Sequence, residues 1–361
     1  MVKIENLFNN IYKDKICLIT GHTGFKGSWL AHWLKRMGAQ VVGYSLKSQS
    51  NPNHFKLLQS DYTSIIGDIR DLNHLEEVFN KYKPNIVFHL AAQALVRYSY
   101  DAPLETFQTN IIGTSNILEL SRKYKSVEVV INVTSDKCYE NKEISRGYNE
   151  NDRMGGHDPY SSSKGCSELI TTSYQKSFYK NENKSLATAR AGNVIGGGDW
   201  ALDRIIPDLV KSASIEQVAN IRNPLATRPW QHVLEPLSGY LTLGWRLYEK
   251  DDYSEGWNFG PHSNDNLSVE EIVNRANKFW KKINFKIEKK DTRYHEANLL
   301  MLDCSKANNL LDWKPVWGID RALDKTISWY RDYYEYNKIN TNKDLEQFIV
   351  DAKKKSLIWT K

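Results

Sequence analysis

The sequence predicts an α/β protein, with a doubly wound parallel sheet followed by a smaller, loop-rich α/β domain. Three observations carry this. Short β-branched apolar runs alternate with stretches of helical periodicity through the first half. A glycine-rich turn follows the first run directly, and the pattern changes after about residue 188. Strand-helix-strand repetition joins parallel neighbours by right-handed crossovers, which puts helices on both faces of a sheet.

Residues 15–20 (KICLIT), 40–44 (QVVGY), 86–90 (IVFHL) and 127–133 (VEVVINV) read as buried strands. They are too short for helices and end in glycine or polar turns. A further strand precedes Gly67. Residues 28–37, 72–82 and 102–124 carry apolar residues at helical spacing, and Gly38 stops the first of these. Beyond residue 188, glycine, proline, arginine and tryptophan crowd into 190–200 and 221–236, which read as loops. Helical spacing returns at 236–249, 269–280 and 319–334. There is no internal repeat, and the lysines at 353–355 read as a solvated end.

Of the 361 residues, 40% are apolar or aromatic and 25% charged, which excludes a disordered or collagenous chain. The net charge of +6 is spread along the chain rather than gathered in a patch. That suits an anionic small ligand at least as well as nucleic acid, so no nucleic-acid partner is expected. No apolar run approaches the roughly 20 residues of a membrane span, and the first 15 residues lack the apolar region of a signal peptide. Cys17, Cys138, Cys166 and Cys304 form no CxxC pair and no His/Cys ligand spacing. A reducing, cytoplasmic setting is expected, with no metal site.

The first strand runs straight into Gly21-His22-Thr23-Gly24-Phe25-Lys26-Gly27, and a helix opens at Ser28. Such a turn brings backbone N–H groups and a helix N-terminus against a pyrophosphate, as in Rossmann-type dinucleotide-binding folds. Asp68, in Gly67-Asp68-Ile69-Arg70-Asp71, could accept from an adenine amino group or cap the next helix, and both readings stand. An acid after strand two usually holds the ribose 2′-hydroxyl of NAD. Here that strand ends in Tyr44-Ser45-Leu46-Lys47, and Lys47 would suit a 2′-phosphate. The loop alone leaves NAD and NADP open.

Strand 127–133 emerges at Thr134-Ser135-Asp136-Lys137, and Tyr160-Ser161-Ser162-Ser163-Lys164 opens a later helix. Tyr160 and Lys164, at i and i+4, share one helical face. A nearby cation and an oxidised nicotinamide lower a tyrosine pKa from about 10 toward neutrality. The phenolate then takes a hydroxyl proton while hydride leaves the same carbon. YxxxK alone also describes an ordinary surface helix; the upstream serine and the glycine turn argue for chemistry.

With these residues in place, the chain resembles the extended short-chain dehydrogenases/reductases, and among them the nucleotide-sugar 4,6-dehydratases. The matching segments are GHTGFKGSWLAHWL, GDIRD, HLAAQALVR, VTSDKCYEN, GGHDPYSSSKG, ARAGNVIGGGDW, IRNPLATRPWQHVLEPLSGY, WNFGP and HEANLLMLDCSKA, in order over residues 15–318. The resemblance implies NAD, reduced and reoxidised within one turnover. C4 of the sugar is oxidised, water leaves across C5–C6, and hydride returns to C6. CDP-glucose is the implied substrate and CDP-4-keto-6-deoxyglucose the product. The change of pattern after residue 188 divides the chain into residues 1–188, expected to bind NAD, and 189–361, expected to bind the nucleotide sugar, with some later segments returning to the first domain.

By the same resemblance Ser135 and Tyr160 hold and deprotonate the 4-hydroxyl, and Lys164 steadies Tyr160 and the nicotinamide ribose. Asp136 protonates the leaving 6-hydroxyl and Lys137 is the C5 base, a pair that an epimerase does not need. A lysine base must be neutral, and burial beside Lys164 and a cationic nicotinamide pushes its pKa down from about 10.4. The bland reading of Asp136-Lys137 is a polar turn after a strand. Gly21, Thr23, Gly24, Phe25, Lys26, Gly27, Asp68, Ile69, Ala91 and Ala92 are assigned to the cofactor with Tyr160 and Lys164.

Gln93 and Arg97 are expected near the sugar. Asn193, Arg204, Arg228 and Arg293 are expected at the diphosphate or nucleotide, with Arg222 and His232 as neighbours. Arginine forks match a diphosphate well, though each arginine alone is explained equally by a surface ion pair. Trp200 and Trp230 could stack on the base or lie in the core. The competing readings are a dehydratase of another nucleotide sugar, such as a UDP-N-acetylhexosamine, a 4-epimerase, and a non-catalytic nucleotide-binding protein. The apolar stripes of 102–124 and of the helix from Tyr160 to Phe178 either pack on the sheet or, as the resemblance implies, pair with their copies in a four-helix interface, so a homodimer or higher homo-oligomer is expected.

Overall fold

The computed structural model describes residue 4 and residues 6–361 except 49, 222, 250, 263–264 and 289–298. Its centre is a seven-stranded parallel sheet built from β1 (Ile16–Thr20), β2 (Gln40–Ser45), β3 (Thr63–Ile66), β4 (Ile86–His89), β5 (Val129–Val133), β6 (Ser185–Ala191) and β7 (Gly256–Phe259). Their spatial order is β7-β6-β5-β4-β1-β2-β3. The chain winds outward from β1 to β3, then crosses to β4 and winds the other way. The order therefore reverses beside β1, and ligands of such sheets bind outside the carboxyl ends of the strands at that point. Thr20 of β1 is in register with both Tyr44 of β2 and His89 of β4.

The four strands and the helix over Leu72–Tyr82 fall where the sequence places them. The stretch 102–124 is helical as expected, from Pro103 to Lys123, with a π-helical turn over Gln108–Ile112 between Pro103–Phe107 and Gly113–Lys123. Strands β6 and β7 were not foreseen. β6 (SLATARA) is alanine- and threonine-rich without a strong β-branched run, and β7 (GWNF) has four residues. The helices Ile205–Ser214 and Thr341–Lys354 were also missed.

The half after residue 188 contributes heavily to the first core. Besides β7, helix Leu234–Glu249 lays Leu237, Tyr240, Leu241 and Leu243 against the sheet. A second core gathers Trp200, Ile206, Leu209, Trp230, Ile272, Trp280, Leu323 and Trp329. Three two-stranded ribbons rim it, pairing Val194–Ile195 with Gln231–His232, Thr227–Pro229 with Asn266–Ser268, and Val218–Ile221 with Asn284–Ile287.

The C-terminus corrects the expectation of a solvated end. Lys353, Lys354 and Lys355 are exposed, but the helix bearing them buries Phe348 and Ile349. Trp359 beyond it is fully buried and stacks on Phe8, with centroids 5.2 Å apart and planes at 10°. Phe348 and Trp33 close the cluster. The two termini thus seal one side of the main core. Trp359→Ala should lower the unfolding free energy by about 3–5 kcal/mol, the cost of emptying a buried aromatic site. Urea unfolding followed by tryptophan fluorescence measures it; an unchanged midpoint would mean that the seal does not form.

Candidate active site

The carboxyl ends of β1, β4, β5 and β6 meet at one edge, and each sends a loop into it. After β1 the chain turns at Gly21, in the left-handed region at φ +79°. A Cβ there would lie 2.8 Å from the Ala91 nitrogen, and one on Gly27 would lie 2.1 Å from the Gly21 carbonyl oxygen. Only glycines allow the turn to pack against both the helix it opens and the loop after β4. Gly24 is the exposed N-cap of helix Phe25–Arg36 and offers no side chain, so the first N–H groups of that helix can face a phosphate. The Thr23 hydroxyl donates to the Leu46 carbonyl at 2.9 Å and pairs with the Ser45 hydroxyl, tying the turn to the end of β2. Phe25 packs beside Gly196.

Around the next loop, Asp68 is gripped by Arg70. The guanidinium donates to both carboxylate oxygens, at 2.6 Å through Nη2, and holds the carboxyl below its usual range. The helix cap is Asp71, which accepts from the His74 N–H, so the capping role weighed for Asp68 belongs there. Ile69 is buried against Gly113. The Leu90 and Ala91 N–H groups both donate to the Thr20 hydroxyl, and Ala92 is half-buried beside them. Lys47 is exposed.

Ser135 caps a single 3-10 turn, Asp136–Cys138, by accepting from the Lys137 N–H. Its hydroxyl donates to Asp136 Oδ1 at 3.0 Å. The other oxygen, Asp136 Oδ2, is buried and has no hydrogen-bond partner among the described residues. It lies 2.9 Å from where a Cβ on Gly192 would be. Burial pushes the Asp136 carboxyl up; Lys137, the Ser135 hydrogen bond, Arg228 and Lys26 pull the other way. Burial wins.

Helix Pro159–Ser177 starts with Asp158 accepting from the Ser161 N–H and with proline in its first turn, both strong start signals. Tyr160 and Lys164 are buried on its inner face. Burial raises the Tyr160 phenol to about 12, opposed by the neighbouring Ser135 hydroxyl and by the Arg204 guanidinium. Among the surrounding charges, the one that opposes burial is Arg204. The Lys164 ammonium donates to the Val133 carbonyl at 3.4 Å. Burial lowers it to about 8, with Glu168 and Cys138 opposing. Lys26 is also lowered to about 8, by burial and then by Arg204, with Asp136 opposing and Lys164 adding to the shift. Arg204, Asp136 and Lys164 are thus near enough to Lys26 to act on its ionisation.

On the outer side, Arg204 is held by Asp199 at 2.8 Å, and Arg228 acts on Asp136. Asn193 is exposed in the turn after β6, and Arg97 is half-buried on helix Val96–Asp101. The Gln93 amide donates to the Leu95 carbonyl of its own loop and to the Thr106 hydroxyl on helix Pro103–Phe107. His232 corrects its assignment to the substrate: it is fully buried between Trp29 and Trp317, and Nδ1 accepts from the Leu234 N–H. Burial takes its pKa down to about 3. Trp200 and Trp230 are core residues, their indoles bonded to Tyr334 and to the Leu267 carbonyl. Arg222 and Arg293 lie outside the described residues.

No cluster of metal-ligating side chains occurs among the described residues, and none of their helices is long and apolar enough to cross a membrane. Missed in the sequence was a buried ion pair, Glu168–Arg190, behind Ser135 and Lys164. Its one local signal was spacing: Glu168 follows Lys164 by four residues, on the same face.

Residues 18–326 match the family model described as GDP-mannose 4,6 dehydratase. The chain is 48% identical over 330 residues to a CDP-glucose 4,6-dehydratase of Salmonella typhimurium, covering 89% of this chain and 92% of that protein. It is 26% identical over 340 residues to a dTDP-glucose 4,6-dehydratase of Haemophilus influenzae, covering 87% and 97%. Among solved structures, an epimerase of Methanothermobacter thermautotrophicus superposes with a TM-score of 0.81 at 25% identity, covering 92% of this chain and 97% of that one. A dTDP-glucose 4,6-dehydratase of Bacillus anthracis in complex with NAD gives 0.76 at 22% identity, covering 89% and 98%. With the family model spanning the sheet, the glycine turn and the Ser135–Tyr160–Lys164 pocket, the chain belongs to the GDP-mannose 4,6 dehydratase family.

Proposed function

We propose that this chain is an NAD-dependent CDP-glucose 4,6-dehydratase, a hydro-lyase that forms CDP-4-keto-6-deoxyglucose. The observation that carries the reading is Asp136: a buried carboxyl, raised in pKa, with one oxygen unpartnered beside Ser135, Lys137 and Tyr160. Dehydration needs such an acid, whereas 4-epimerisation does not. The 48% identity to the Salmonella typhimurium enzyme supports the substrate.

The glycine turn fits NAD, because its exposed Gly24 leaves backbone N–H groups and a helix N-terminus open to a pyrophosphate. Gly21, Thr23, Gly24, Phe25, Lys26 and Gly27 would hold the pyrophosphate, with Ile69, Ala91 and Ala92 lining the adenosine side and Lys164 near the nicotinamide ribose. When bound, NAD supplies the hydride acceptor for C4 and the donor for C6.

The chain supplies the proton transfers. Ser135 holds the 4-hydroxyl oxygen and Tyr160 takes its proton; the neighbouring Ser135 hydroxyl and Arg204 favour the phenolate against burial. With C4 a ketone, the C5 proton becomes acidic, and Lys137 removes it. Asp136 gives its proton to the departing 6-hydroxyl, a role suited to a carboxyl that burial keeps protonated more readily than usual. Arg204, Arg228, Arg97 and Asn193 face the diphosphate and sugar. The cations balance the two charges of a diphosphate.

The protein is expected to act as a homodimer. Leu104, Ile112 and Leu169 are 75%, 53% and 60% exposed, all on the helices that the family pairs between copies. So much apolar area on neighbouring helices marks an interaction surface. Sedimentation at micromolar concentration should show at least a dimer, and Leu104→Arg with Leu169→Arg should give monomers. A monomeric unaltered protein would contradict this.

Tyr160→Phe should abolish all chemistry, because hydride cannot leave C4 without loss of the hydroxyl proton. Lys137→Ala should separate the halves: oxidation persists, while elimination slows by about two to four orders of magnitude, the usual effect of losing a general base. Single-turnover mass spectrometry should then find the 4-keto-glucose nucleotide, with solvent deuterium entering C5 slowly. Dehydration by Lys137→Ala at the unaltered rate would remove Lys137 from the mechanism.

A further inference from the structure

Behind the pocket lies a group of polar side chains that the proposed chemistry does not use. Glu168 and Arg190 are paired at 2.7 Å with side chains only 2% and 6% exposed. Glu168 sits on helix Pro159–Ser177, one turn past Lys164 and two past Tyr160. It accepts from the Thr134 hydroxyl through one oxygen, and from Thr188 and Arg190 through the other. Arg190, on β6, also donates to the Tyr139 hydroxyl at 2.7 Å, and that hydroxyl donates to Asn258 of β7.

Thr134 and Tyr139 are the two residues flanking Ser135, Asp136, Lys137 and Cys138. Both ends of that segment are therefore tied to one ion pair, which itself joins the helix of Tyr160 and Lys164 to β6. Between the ties the turn lies close on the helix: a Cβ on Gly165 would be 3.2 Å from the Cys138 carbonyl oxygen. We propose that Glu168 and Arg190 are positioning residues, which clamp both flanks of the Ser135–Asp136–Lys137 segment and fix it against Tyr160 and Lys164. This rests on the dehydratase reading above.

The clamp has two arms with different loads. The Thr134 arm adjoins Ser135, which serves oxidation at C4. The Tyr139 arm closes the turn that carries Asp136 and Lys137, which serve elimination. Releasing one arm should therefore disturb one half of the reaction more than the other. Loss of folded protein would scale both halves together.

The test compares Tyr139→Phe, Thr134→Val and Glu168→Gln with the unaltered enzyme on CDP-glucose and NAD, under single-turnover conditions with quantification of both the 4-keto-glucose and the 4-keto-6-deoxyglucose nucleotides. Tyr139→Phe should slow elimination by about 10- to 100-fold while oxidation stays within about 2-fold, the range expected when a catalytic group is misplaced by up to about 1 Å. Thr134→Val should slow oxidation more than elimination, and Glu168→Gln should slow both. Tyr139→Phe changes no charge and serves even if Glu168→Gln does not fold. An unchanged ratio of the two products in Tyr139→Phe and in Thr134→Val overturns the clamp. If the unaltered enzyme itself forms neither product, the dehydratase reading fails instead.

Discussion

A glutamate and an arginine held almost completely out of water, Glu168 and Arg190, are the interaction on which the pocket depends. Burying two charges costs several kcal/mol each unless every lone pair and N–H finds a partner. Here most do: Thr134, Thr188 and Tyr139 surround the pair, and a Tyr139 ring lies 5.3 Å from the guanidinium. Well-packed apolar side chains would stabilise the fold as well or better. What an apolar set cannot supply is direction, since hydrogen bonds fix angles as well as distances. A helix, two strands and the segment between Thr134 and Tyr139 are held in one relative orientation.

That orientation decides the electrostatics of the cleft. Lys26, Lys137 and Arg228 all draw the Asp136 carboxyl toward ionisation, yet burial outweighs them and leaves its pKa raised. The same burial takes the Lys26 and Lys164 ammoniums down to about 8. Burial thus favours the neutral form of the acid and of the two lysines that flank the reacting groups. An anionic substrate would raise the Asp136 carboxyl further, while drawing the two lysines back toward their charged forms.

Local features were legible in the sequence. The glycine turn, the Tyr160–Lys164 spacing and the four apolar strands each depend on neighbours within a few residues, and each stands where expected. What failed was anything decided by distant partners. β6 and β7 are strands because they pair with β5 and with one another, not because their residues strongly prefer it. Residue type said what His232, Trp200 and Trp230 could do, but not that they face the core. Glu168 was visible as a charge one turn past Lys164; its partner Arg190 lies on another element and leaves no spacing to read.

Everything in the pocket serves one outcome, removal of water from the sugar without net oxidation. The most direct measurement incubates the purified protein with CDP-glucose and a catalytic quantity of NAD, weighs the nucleotide product by mass spectrometry and follows NADH absorbance throughout. Complete conversion to a product lighter by one water is expected, with no NADH accumulating. A product of unchanged mass, or NADH rising in step with turnover, would contradict it.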